Sequence, residues 1–253
     1  MQKKSLSRRD FFRGAAGSAI GVAGGVFMPQ AFAADAVPKN TISPDEALKM
    51  LKEGNEQFLK DSRASGTTSA LTQERRLELA RSQSPFAILV SCSDSRVPPE
   101  LLFGRGLGEL FIVRNAGNTV DNVALGSIEY AVAVLNVSLI VVMGHERCGA
   151  VDAALDVVEN NTVFPGSLGQ MIEPIIPAVL QAKSATDGGA DHDSLLDAAV
   201  RSNVRRVVSR LKNSEPVLLD PLESGKLKIV GARYDLDDGS VEFFDDETEA
   251  VSS

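Results

Sequence analysis

Three short, nearly unbroken apolar runs limit what this chain can fold into: Phe86-Ala-Ile-Leu-Val-Ser91, Leu110-Phe-Ile-Val113 and Val137-Ser-Leu-Ile-Val-Val-Met143. A strand with one face in water alternates apolar and polar residues. These runs do not, which is the pattern of parallel strands covered on both faces. Between the second and third, residues 122–135 place Ala, Leu, Ile and Tyr at helical spacing. Strand, helix, strand in that order predicts a β-α-β unit and a parallel sheet.

The flanking segments fill in the architecture. Ser43-Pro44-Asp45-Glu46 supplies an N-cap, a proline at the first helical position and early acids, and predicts a helix to about residue 60. A polar stretch, 61–69, precedes a second helical pattern reaching about residue 82. Further helices are expected around 167–183 and 192–213, with a small polar loop at 184–190 between them. Runs 227–234 and 240–244, joined through Asp237-Asp238-Gly239, read as a hairpin. No internal repeat or linker interrupts the sequence. The expected fold is α/β, a mostly parallel central sheet flanked by helices, with an N-terminal helical arm and a C-terminal antiparallel hairpin, as one domain over residues 34–253.

Residues 1–33 read differently. Lys3, Lys4, Arg8, Arg9 and Arg13 precede a Gly/Ala-rich apolar run at 14–27 that ends at Ala31-Phe32-Ala33. This is the layout of an export signal, too short and weakly apolar for a stable membrane span of about 20 residues. Ser7-Arg8-Arg9-Asp10-Phe11-Phe12 resembles the bacterial twin-arginine signal, so export machinery is an expected partner and a periplasmic or secreted location is expected. Without this segment the chain keeps 21 basic and 33 acidic residues, a formal charge of −12. Such a surface, with no basic patch interleaved with aromatics, argues against nucleic-acid binding. The only two cysteines, in an exported chain, would ordinarily suggest one disulfide.

Three chemically rich stretches lie at the carboxyl ends of expected strands, where open α/β sheets place their sites: Cys92-Ser-Asp94-Ser-Arg96, Arg114-Asn-Ala-Gly-Asn118 and Gly144-His145-Glu-Arg-Cys148-Gly149. On an extended strand residues 92 and 94 face the same side. His145 and Cys148 sit where strand gives way to helix, and a thiol at a helix N-terminus ionises more readily. Two thiolates and one imidazole form a soft, zinc-selective set with a free fourth position, the mark of a catalytic site. It uses both cysteines.

These residues, from about Gln83 to Cys148 in detail and more loosely beyond, resemble the β family of carbonic anhydrases. The resemblance implies zinc on Cys92, His145 and Cys148, whose bound water provides the hydroxide that converts carbon dioxide to bicarbonate and a proton. It implies an Asp94–Arg96 dyad in which Asp94 orients that hydroxide and Arg96 keeps Asp94 off the metal, with Asp94 a fourth metal ligand in a closed state. It also implies a substrate pocket of Gln83, Phe111, Ala116, Tyr130 and the Gly149 backbone N–H, part of it from a neighbouring subunit, hence a homodimer or higher oligomer. The absence of tryptophan favours the branch without an added regulatory bicarbonate pocket.

Rival readings remain. Carbonyl sulfide or carbon disulfide could be the substrate on the same scaffold, or the chain could be a non-catalytic zinc protein. Phe111 and Tyr130 could be core residues and Gln83 a surface one. Arg114, Asn115 and Asn118 read as loop-fixing, and Glu146 and Arg147 as exposed or helix-starting. His192 reads as a solvated loop histidine or, alternatively, a proton shuttle. Gly104-x-Gly106-x-Gly108 follows no suitable strand and is a turn rather than a dinucleotide fingerprint.

Overall fold

The computed structural model describes residues 39–60, 72–186, 189–214 and 216–244. The export signal expected at 1–33 and the polar stretch at 61–69 lie outside them. The first element is helix α1 (Pro44–Lys60), capped by the Ser43 hydroxyl, which accepts from the Glu46 N–H at 3.3 Å. Then come α2 (Gln73–Leu79), β1 (Ala87–Cys92), the short α3 (Pro99–Leu102), β2 (Leu110–Asn115) and a 3-10 turn at Ala116–Asn118. Next are α4 (Asn122–Ala133), β3 (Leu139–His145), α5 (Gly149–Asn160), α6 (Ser167–Ile172) and α7 (Ile176–Ala185). The chain continues through α8 (His192–Lys212), α9 (Leu219–Glu223), β4 (Lys228–Tyr234) and β5 (Val241–Phe244).

The five strands form one sheet in the order β2-β1-β3-β4-β5. The first four are parallel, and β5 returns antiparallel to β4, with Tyr234 opposite Val241, as the hairpin reading expects. Both faces are covered, which explains the continuous apolar runs. Ile88, Val90, Ile140 and Val142 point to α4 and α8, while Ala87, Leu89, Val141 and Met143 point to α1 and Phe103. Full burial of each of these side chains larger than alanine contributes roughly 1.5–3 kcal/mol. The glycine stretch 104–108 is indeed a turn, with φ of +56° at Gly104 and +81° at Gly108. Among the described residues no helix is long and apolar enough to cross a membrane.

A third apolar cluster, formed by α5, α7 and the first half of α8, closes over the carboxyl end of the sheet and includes Cys92 and Cys148. Helix α8 lies close against β3 there: a Cβ on Gly144 would stand 2.8 Å from the Val204 side chain and 2.9 Å from that of Val200. The glycine immediately before His145 is therefore a packing requirement of this helix.

Candidate metal centre

The strand order reverses between β1 and β3: from β1 the chain moves outward to β2, then crosses back to β3 on the other side. Such a switch point opens a crevice at the strands' carboxyl ends. Cys92 is the last residue of β1 and His145 the last of β3, so the crevice is where they meet. Cys148 follows at the N-cap of α5.

All three side chains are buried, and their ligand atoms lie within 4.8 Å of one another. The cysteines are thiols, not a disulfide, with sulfurs 4.0 Å apart. His145 Nδ1 stands 2.8 Å from the Glu146 carbonyl, which can only accept, so Nδ1 carries the proton and donates it there. Nε2 is left with a bare lone pair, and this buried atom has no hydrogen-bond partner. Asp94 Oδ2, at 3.9 Å, is too far to serve. An orphaned buried nitrogen facing two sulfurs is costly in a metal-free site and suited to a soft cation.

The sulfurs agree with this. Hydrogen bonding from Cys148 leads the causes that lower the Cys92 thiol, whereas that same bond, then burial and the nearby Cys92 charge, push Cys148 up. A cation bound between them would favour both as thiolates and expel their protons.

A shell of polar contacts holds these groups. The Gly117 N–H donates to Cys92 Sγ at 3.3 Å. Arg114 reaches across from β2 to the carbonyls of Cys92 (2.8 Å) and Asp94 (2.7 Å), so it fixes the loop as its position suggests. Asn115 bonds the Thr119 carbonyl at 2.6 Å in the same role. Asn118, buried at φ +45°, belongs to this turn as well. Arg96 grips Asp94 with Nε on Oδ1 at 2.9 Å and Nη2 on Oδ2 at 2.7 Å. This fork is the main reason the Asp94 carboxyl is held well below the usual carboxylate range.

Arg147 is exposed as its spacing suggests and Glu146 is half-buried, and both also hold distant partners. Arg147 adopts φ +49° and forms a two-pronged pair with Asp237 at 3.0 and 2.7 Å, while Glu146 accepts from the Leu236 N–H at 3.1 Å. Together they tie the ligand-bearing turn to the hairpin 90 residues away. No local pattern could signal a partner so distant. His192 also differs from a free loop histidine: it opens α8, and its Nε2 lies 3.0 Å from Asp152 Oδ1.

The expected pocket residues are not all brought together within the chain. Ala116 and Gly149 adjoin the metal ligands, in the turn after β2 and at the start of α5. Gln83 precedes β1, Phe111 is the second residue of β2, and Tyr130 is in the last turn of α4, which runs back against the strands. These three belong to the amino end of the sheet. Strand β1 alone separates that end from Cys92 by about 17 Å, at roughly 3.3 Å per residue. Phe111 is partly buried against the α4–α8 face, Tyr130 is 38% exposed, and Gln83 is exposed.

Residues 87–241 match the family model described as carbonic anhydrase. Carbonic anhydrase 2 of Mycobacterium tuberculosis is 41% identical over 197 residues, 78% of this chain and 91% of that protein. A carbonic anhydrase of Mycolicibacterium smegmatis is 40% identical over 200 residues, 79% of this chain and 93% of the relative. Among solved structures, a Coccomyxa β-carbonic anhydrase in complex with acetazolamide superposes with a TM-score of 0.59 at 31% identity, over 77% of this chain and 85% of that one. A tetrameric β-carbonic anhydrase of the ascomycete Sordaria macrospora gives a TM-score of 0.63 at 26% identity, over 75% and 95%. Agreement of this extent, in sequence and in the β-class fold, makes the chain a member of the carbonic anhydrase family.

Proposed function

We propose that this protein catalyses the reversible hydration of carbon dioxide to bicarbonate and a proton, at one zinc ion per subunit held by Cys92, His145 and Cys148. The observation that carries the reading is the buried, unpartnered Nε2 of His145, turned toward two sulfurs 4.0 Å apart. Zinc held by these three side chains would supply a Lewis acid for the activation of water. Two thiolates cancel the charge of a dication, so protein groups around the metal must do more of the work.

Asp94 takes that part, accepting a hydrogen bond from the attacking water so that a lone pair faces the carbon of the substrate. Arg96 positions Asp94: its fork occupies both carboxylate oxygens, keeps them charged and draws them away from His145. Gly149 offers a backbone N–H and Ala116 an apolar wall for a small apolar substrate.

Gln83, Phe111 and Tyr130 complete the pocket of a neighbouring subunit in a homodimer. Their place at the far end of the sheet supports this, as does α2, which buries no residue within the described chain and leaves Leu77 67% exposed. Residues 1–33 direct the chain through the twin-arginine route to the periplasm, and the two thiols then require metal loading in the reducing cytoplasm beforehand.

Zinc content measured together with stopped-flow carbon dioxide hydration tests the reading. Near-stoichiometric zinc with hydration far above buffer is expected, and zinc-replete protein without hydration overturns it. Replacing Arg8 and Arg9 by Lys should retain the protein in the cytoplasm, and unchanged export would refute the twin-arginine route.

A further inference from the structure

Helix α8 presses an apolar stripe of Leu196, Ala199, Val200, Val204 and Val207 into the molecule, and Asn203 lies within that stripe at 2% exposure. A polar side chain there is costly unless bonded. Its Nδ2 donates to the Gly117 carbonyl at 2.8 Å, a buried contact between residues 86 apart in sequence. Gly117 in turn donates its N–H to Cys92 Sγ. We infer that Asn203 is a positioning residue for the metal centre: by holding the Gly117 carbonyl it aims the Gly117 N–H at the Cys92 sulfur and so sets that ligand's geometry and donor strength toward the metal.

The connecting residue has little freedom to compensate. Gly117 sits at φ +78°, ψ +16°, in the left-handed region, and a Cβ there would stand 2.5 Å from Ile175 Cδ1. Its conformation is selected by glycine and enclosed by Ile175 and Ala150. Two groups orient the glycine, its φ/ψ well on one side and the Asn203 amide on the other. A hydrogen bond to a thiolate withdraws charge from the sulfur, and partners of this kind commonly change metal affinity by about 10–100-fold. The same helix backs Gly144 beside His145, so α8 reaches two of the three ligands from behind.

The inference rests on the metal reading above, and the test separates the two. Wild type, Asn203→Leu and Val207→Ala are loaded with cobalt(II), and both the sulfur-to-cobalt charge-transfer band and the rate of metal loss to a chelator are measured. Val207→Ala removes packing from the same helix without touching Gly117, and urea unfolding of each variant reports the stability change alone. Asn203→Leu should shift the band and speed metal loss by about 10–100-fold, with Val207→Ala close to wild type in both. Asn203→Ser, which keeps a shorter donor, should fall between, and it carries the comparison should the leucine variant not fold.

In cadmium-113-loaded wild type, scalar coupling between the metal and the Gly117 amide proton should report the N–H···S bond directly. A wild type that binds no metal through these three ligands defeats the metal reading itself. Metal-bound wild type without the cadmium coupling overturns the inference alone. So does a folded Asn203 variant matching wild type in band and release rate, or a Val207→Ala that changes both equally.

Discussion

Arg96 closes its guanidinium on both oxygens of Asp94, at 2.9 and 2.7 Å, while Asp94 Oδ2 stands 3.9 Å from the bare nitrogen of His145. In this arrangement the carboxylate stands beside the Cys92–His145–Cys148 cluster, beyond hydrogen-bond reach of the histidine ring. Asp94→Asn should keep its zinc yet lose hydration by about 10–100-fold, because the amide keeps the shape but not the accepting charge. Arg96→Gln should also lower hydration and leave zinc in place. Metal analysis with stopped-flow assays checks both, and unchanged turnover in Asp94→Asn would sink the role given to the dyad.

A pocket split between subunits predicts complementation. On that reading Gln83→Ala and Asp94→Asn should each be impaired as homodimers, since every site would have one defect. In a mixed dimer one site collects both defects and the other has neither. Refolding an equal mixture should therefore recover up to about a quarter of wild-type activity by random pairing of protomers. Activity no greater than the mean of the two parents would show that Gln83 serves its own subunit or none.

Gly144 has no room for a side chain, because Val200 and Val204 of α8 meet the space its Cβ would fill. Gly144→Ala should cost about 1–3 kcal/mol through overpacking, read as a lowered urea midpoint. It should also loosen metal binding, since the displaced strand residue precedes His145. A variant as stable as wild type would mean that α8 yields at this point.

The carboxylates of Asp235 and Glu242 are held below their ordinary range, first by hydrogen bonds from Arg233 and Arg201 respectively. A depressed carboxylate contributes stability that is fully present above its unfolded value of about 4 and is lost as pH falls through the folded value. Arg201→Gln removes the pair at Glu242. The gap in urea midpoint between wild type and this variant should be constant above about pH 5 and shrink as the pH falls further. A gap independent of pH would assign the effect of Arg201 to packing.

Much of this molecule can be read along the chain because the signals are local. Strands β1, β2 and β3 announce themselves as apolar runs since both faces are buried, and the ligands are legible because Cys92 and His145 end their strands and Cys148 follows three residues after His145. Spacing also brings Asp94 to Arg96, two residues apart. Short α3 and α9 escape such reading, as four or five residues carry no periodicity, and so do the partners that hold the site.

What sequence alone determined is the ligand chemistry and the sheet that bears it, because both depend on neighbours in the chain. The tertiary structure decided the rest. It places Cys92 and His145 on adjacent strands at the switch point, orients the His145 ring by the Glu146 carbonyl, and ties Arg147 to Asp237 and Asn203 to Gly117. It also places the residues expected to line a pocket at the two ends of the sheet. These relations join residues brought together only by packing, and packing energy depends on the whole core rather than on any segment of it.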